Sequence, residues 1–137
     1  MVTKLLKADK DSLIEASNLI KNGEIVAVPT ETVYGIAGNA YNGEAIKKIF
    51  LAKGRPQDNP LIVHIDGEEM LKEVAIDIPD TAYVLAKSFW PGPLTMVLKK
   101  GEKVSYQTTA GLDTVGVRMP SDEFARALIT ASGVPFA

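Results

Sequence analysis

Two cations two residues apart, Lys53 and Arg55, stand in the stretch K-G-R-P-Q-D-N-P-L, between a helix-like segment and a strand-like one. Pro56 and Pro60 fix φ and bias the residues before them to extended conformations, so the loop costs little entropy to hold in one shape. A stiff, cationic loop suits the gripping of an anion. The alternative is a proline-rich connector whose lysine and arginine face water, and on local composition alone that is the commoner outcome. Upstream, P-T-E-T-V-Y-G places Thr30, Glu31, Thr32 and Tyr34 directly after a strand-like run. Ligands collect at strand ends in open α/β sheets, although an ordinary strand-to-turn transition explains the same residues equally well. Downstream, His64 lies in L-I-V-H-I and Arg118 in T-V-G-V-R-M, which begins at Thr114. An arginine inside a strand must reach water, a carboxylate or a ligand. For His64 the plainer reading is a hydrogen-bonded strand residue.

Cations and hydroxyls near strand ends suit the positioning and charge neutralisation of phosphate or carboxylate, as in phosphoryl or nucleotidyl transfer. Arginine matches such groups with a planar fork, and lysine acts as a point charge. Other chemistries are excluded. The chain has no cysteine and one histidine, so it offers no thiolate metal site, no multi-histidine zinc site and no ordinary nucleophile–base pair. Magnesium held by one or two oxygens together with substrate phosphates is compatible with the composition. There is no G-x-x-x-x-G-K-[ST] loop, G-x-G-x-x-G turn or G-x-S-x-G elbow.

These side chains need a scaffold, and 137 residues with 46% hydrophobic and 23% charged composition fit one globular domain. A net charge of −2 counts against a stand-alone nucleic-acid binder but not against a local basic groove. No run of 18 apolar residues is present, and M-V-T-K-L-L-K is too polar for a signal peptide, so a cytoplasmic protein is expected. Apolar periodicity predicts helices over 12–22, 42–53, 67–74, 80–89 and 121–132. Ser12, Asn42 and Ser121 are the expected N-caps, and Gly23, Gly54 and Gly133 the expected terminators. Strands are expected at 25–28, 61–65, 94–98 and 114–119, with another beginning at V-P-F-A. W-P-G-P punctuates the chain before the third of these. Lys99, Lys100 and Lys103 read as a solvated hairpin end. The order predicts an α/β fold with a mixed sheet, because the strands near 100 and 115 are joined without a helix.

Four motifs now stand in order: P-T-E-T-V-Y-G, K-G-R-P-x-x-N-P-L-I-V-H, W-P-G-P-L-T and V-G-V-R-M-P. Together they resemble the YrdC-like threonylcarbamoyl-adenylate synthases over nearly the whole chain. The resemblance implies an open, twisted, mixed β-sheet flanked by helices, with a concave basic groove. It implies a nucleotidyltransferase that makes threonylcarbamoyl-adenylate and pyrophosphate from L-threonine, bicarbonate and ATP, assisted by Mg2+, for threonylcarbamoyladenosine modification of tRNA. By the same resemblance Thr32, His64 and Arg118 would contact threonine, while Lys53, Arg55, Asn59 and Thr114 would lie on the ATP and bicarbonate side. Lys53 and Arg55 would carry the catalytic charge, and no protein metal ligand is implied. The implied partners are the three substrates, and tRNA with its threonylcarbamoyl-transfer machinery; no membrane is expected. The family's Ser-x-Asn motif belongs just beyond V-P-F-A, so residues 1–137 are expected to be one domain incomplete at its C-terminal end, with its last strand unpaired. Two other readings stay open: an RNA-binding module without chemistry, and a carbamoyl-adenylate domain of the hydrogenase-maturation type.

Overall fold

The computed structural model describes residues 3–29, 33–54 and 56–137. Helix α1 (Lys10–Lys21) leads into an antiparallel ribbon of β1 (Val26–Val28) and β2 (Gly35–Ala37). Helix α2 (Gly43–Lys53) follows, then β3 (Val63–His64), α3 (Glu68–Val74), β4 (Ala75–Ile76) and α4 (Asp80–Phe89). The hairpin β5 (Met96–Lys100) and β6 (Thr114–Arg118) precedes α5 (Glu123–Ser132). A four-stranded sheet has the order β3-β6-β5-β4, with β3 parallel to β6 and the other pairs antiparallel. The expected mixed sheet is therefore present.

The segment 135–137 joins the ribbon to that sheet. On one side Ala40 N donates to Pro135 O (3.0 Å), and Gly38 and Ala137 exchange two bonds (3.0 and 3.3 Å). On the other, His64 N donates to Phe136 O (2.7 Å) and Phe136 N to His64 O (3.2 Å). The last strand, expected to be unpaired, is bonded along both edges. Burial adds to this, since Phe136 is part of the main core.

Alternation assigns the faces of the four-stranded sheet. Val63, Ala75, Met96, Leu98, Val115 and Val117 point into a core closed by Ala16 and Ile20 of α1, Leu71 of α3 and Leu128 and Ile129 of α5. Helix α2 has its own cluster, Ile46, Ile49 and Phe50, packed on Ile36 of the ribbon, on Ile25 just before it and on Leu61. The loop that begins at Lys53 thus starts from a helix fixed by apolar burial, the dominant favourable term in folding.

Local signals explain most boundaries. Asn42 caps α2 through its side-chain oxygen, and Gly54 ends it in the left-handed conformation at φ 61°. Two caps fall elsewhere than expected. Asp9, not Ser12, caps α1 and receives Ser12 N at 2.9 Å; Asp122, not Ser121, caps α5 and receives Ala125 N at 2.9 Å. In both cases a carboxylate lay within three residues of the serine, and a charged acceptor binds the orphan amides more strongly. The strand at 61–65 is reduced to Val63–His64, and the one at 94–98 shifts to Met96–Lys100, where its partners allow pairing. Strands β2 and β4 were not expected; each is three residues or fewer.

Candidate active site

The W-P-G-P motif acts as a clamp beside the end of β6. The Trp90–Pro91 bond is cis. Trp90 Nε1 donates to Leu94 O at 2.8 Å, and Gly92 N donates to Met119 O at 2.9 Å. A Cβ at Gly92 would lie 2.6 Å from Phe89 O, so the turn closes only with glycine. The clamp fixes the residue after Arg118.

Arg118 and His64 are register partners across the parallel β6–β3 pair. Ile65 N donates to Arg118 O at 3.0 Å, and both residues are half-buried. Thr114, Gly116 and Arg118 alternate with buried Val115 and Val117, so they share the sheet face that carries His64 and Val97. Val97 is 70% exposed, so this face is open to ligands. Beside His64 lies a cavity of about 60 Å³, lined by Val28, Ile36, Pro120, Ala125 and Phe136 among others. His64 is its polar member, and it sits where the ribbon meets the sheet.

Lys53 is the last residue of α2 and is exposed. It differs from the helix's other lysines. Lys47 pairs with Glu44 (3.1 Å), and Lys48 with Glu24 (3.1 Å) and with Gly23 O (3.1 Å). Lys53 makes no ion pair with a described residue. Asn59 is exposed in the loop that enters β3, and that loop is anchored where Leu61 N donates to Thr108 O at 2.9 Å. Thr108 is fully buried, and its hydroxyl donates to Ala40 O (3.0 Å) and bonds Ser105 Oγ (2.8 Å). One residue therefore ties the turn after β2, the 56–61 loop and the 105–113 loop together. In the sequence, 104–110 is a polar, hydroxyl-rich stretch that carries no recognisable motif. Its density of hydroxyls was the only available signal.

Two further expected site residues, Thr32 and Arg55, lie outside the described residues, as do Thr30 and Glu31. The structure brings together His64, Arg118 and Thr114 on one sheet face, and it places Lys53 and Asn59 on the segment leading into β3. The basic run is engaged locally. Lys99 pairs with Asp77 (3.3 Å), Lys103 pairs with Glu73 (2.8 Å), and Lys100 reaches the carbonyls of Gly101 and Val104 and lies 4.1 Å from the Tyr106 ring centroid. Among the described residues no three His, Asp or Glu side chains converge as a metal-binding set. Nor is any described helix long and apolar enough to cross a membrane.

The Sua5/YciO/YrdC family model, described as telomere recombination, matches residues 18–137. The chain belongs to this family. A Sua5/YciO/YrdC relative from Pyrococcus abyssi named threonylcarbamoyl-AMP synthase is 56% identical over 89% of this chain and 36% of its own length. One of the same name from Bacillus subtilis is 48% identical over 99% of this chain and 40% of its own. Among solved structures, P. abyssi Sua5 complexed with L-threonine superposes with a TM-score of 0.90 and 51% identity, over 98% of this chain and 39% of that one. The chain therefore spans well under half the length of these relatives. The mixed sheet flanked by helices described above is the fold of that solved structure.

Proposed function

We propose that this chain carries the adenylate-forming site of a threonylcarbamoyl-AMP synthase, which converts L-threonine, bicarbonate and ATP into threonylcarbamoyl-adenylate and pyrophosphate for tRNA modification. The observation that carries the proposal is the His64–Arg118 pair on an open sheet face, in a chain 56% identical to a relative with that activity in its name. Arg118 suits the threonine carboxylate, which its guanidinium can bind with two parallel hydrogen bonds. His64 and Thr32 contact the rest of the amino acid, and the small apolar cavity beside His64 suits a methyl group. Lys53, Arg55, Asn59 and Thr114 take the phosphates and bicarbonate in a concave basic groove.

The chemistry needs juxtaposition more than a protein nucleophile. The threonine amine attacks the bicarbonate carbon, a C–N bond forms, and water leaves to give a carbamate. A carbamate oxygen then attacks the α-phosphorus of ATP, and the α–β bridging bond breaks to release pyrophosphate. Lys53 and Arg55 neutralise charge that grows on the phosphoryl oxygens in that step. Magnesium arrives on the phosphates of ATP as part of the substrate. The same reading places the protein in the cytoplasm, with tRNA and the transfer machinery downstream. Pyrophosphate release should require both threonine and bicarbonate. Lys53→Ala and Arg55→Ala should each lower it by about 10²-fold or more, the usual cost of losing one preorganised charge-stabilising group. Undiminished release in the double variant refutes these assignments.

A further inference from the structure

Gly116 occupies the centre of β6, where a glycine weakens a strand through lost packing and backbone entropy. Two ordinary reasons for a glycine fail here. Its φ is outside the left-handed region that Gly23, Gly54, Gly111 and Gly133 occupy. Nor does packing exclude a side chain. An added Cβ would meet only Thr95 Cγ2 at 3.4 Å and Ile62 Cγ1 at 3.9 Å, both ordinary contacts with side-chain atoms. Gly92 and Gly101 contrast with it, since a Cβ there would stand 2.6 and 2.7 Å from a backbone carbonyl oxygen. The β5–β6 register runs unbroken through Gly116, so no bulge accounts for it, and the atoms within 4 Å of the added Cβ are side-chain atoms rather than another backbone; what remains is close approach of a ligand to the strand.

Its position supports that reason. Gly116 lies on the open face midway between Arg118 and Thr114, each two residues away and so about 7 Å along the strand. Its register partner across the β5–β6 pair is the exposed Val97. If threonine is held by its carboxylate at Arg118 and ATP lies toward Thr114, the carbamate oxygen and the α-phosphorus must meet between them, over the gap that Gly116 leaves.

We propose that Gly116 is a positioning residue of the adenylate-forming site: its missing side chain leaves the floor on which the carbamate and the α-phosphate come into contact. This rests on the functional reading above. A Cβ there would lift the reacting groups off the strand, whereas binding of threonine alone at the Arg118 end would be spared.

The test compares the wild-type chain with Gly116→Ala and Gly116→Val. It measures thermal unfolding, calorimetric titration with L-threonine, and pyrophosphate release with ATP, threonine and bicarbonate. The expected result is unfolding at or above the wild-type temperature, unchanged threonine affinity, and pyrophosphate release reduced about 10²-fold in the valine variant and less in the alanine variant, the scale of a misplacement of about 1 Å. Full pyrophosphate release by Gly116→Val overturns the inference, as does lowered thermal stability in both variants. Pyrophosphate release by the wild type that is absent, or independent of threonine and bicarbonate, overturns the functional reading and this inference with it. Dependent release that survives in Gly116→Val overturns this inference alone.

Discussion

Thr108→Val tests whether one buried hydroxyl holds three loops together. Valine has nearly the shape of threonine, so the substitution opens no cavity and removes only hydrogen bonds. Two are lost: Oγ1 to Ala40 O (3.0 Å), and the bond between Oγ1 and Ser105 Oγ (2.8 Å). Ala40 O is not left orphaned, and Ser105 Oγ, which gives its proton to Thr108 Oγ1 because that hydroxyl's own proton goes to Ala40 O, is only half-buried and can turn that proton to water. Ala40 O still receives Ser105 N at 3.2 Å, and Ser105 Oγ still receives Thr108 N at 3.3 Å. The loss is therefore that of two net hydrogen bonds without an added desolvation penalty, about 1–2 kcal/mol. For a chain of 137 residues that corresponds to roughly 4–7 °C in Tm. Urea unfolding measures it as a lower midpoint at unchanged slope. Amide exchange supplies a second readout, because Leu61 N donates to the carbonyl of the same residue. Its exchange should quicken by about 5–30-fold, the population change that such an energy implies. A midpoint and a Leu61 exchange rate equal to wild type would refute the idea that Thr108 is the tie. A loss beyond about 4 kcal/mol would refute the bookkeeping, since only an orphaned buried group or a cavity costs that much.

Tyr41 gives the opposite sign. Its buried hydroxyl has no hydrogen-bond partner among the described residues, so Tyr41→Phe should stabilise the chain by about 1 kcal/mol near neutral pH, measured by urea unfolding. Burial, and then the negative charge of Glu73, raise the Tyr41 pKa above its ordinary value. The folded state thus holds this proton more tightly than the unfolded one, and stability that is whole below pH ~10 is lost as pH rises beyond it. Tyr106 is raised too, first by its hydrogen bond to Asp113, so the alkaline slope in Tyr41→Phe should be shallower than wild type but not flat. Two glycine substitutions should fail for different reasons. Gly54→Ala meets nothing within 4 Å but takes a left-handed φ, for a cost of about 1–2 kcal/mol. Gly101→Ala drives a Cβ against the backbone of Glu73 and Val74, for about 1–3 kcal/mol. Asp122→Ala should cost about 1 kcal/mol through loss of the α5 cap, seen as reduced thermal stability.

Where a feature depended on neighbours in sequence, the residues mostly declared it, the caps at Asp9 and Asp122 apart. Helix α2 (Gly43–Lys53) lies between Asn42 and Gly54 as these cap residues indicate, and α4 spans Asp80–Phe89 as its periodicity indicates. Where a feature depended on distant pairing, they did not. Strands β2 and β4 are too short to carry a period, and the pairing of 135–137 joins that segment to residues 38–40 and 64, far away in sequence. The candidate site divides in the same way. His64 and Arg118 stood out as polar residues in apolar strands, and the sheet makes them neighbours. Gly116 lies within V-G-V-R-M-P without a local signal, because the side chains that flank it, Thr95 and Ile62, meet it only once β5 and the segment before β3 lie alongside. Thr108 was hidden for the same reason, since its partners come from two remote turns.

The splice formed by 135–137 also has a kinetic side. The ribbon is made roughly a hundred residues before the segment that connects it to β3. Until then β2 and β3 each expose an edge of unpaired amides and carbonyls, which can template pairing with another chain. The ribbon and the four-stranded sheet would consequently become one cooperative unit only once 135–137 has docked between them. A nascent chain arrested before Pro135 should be markedly more prone to aggregate than one arrested after Ala137.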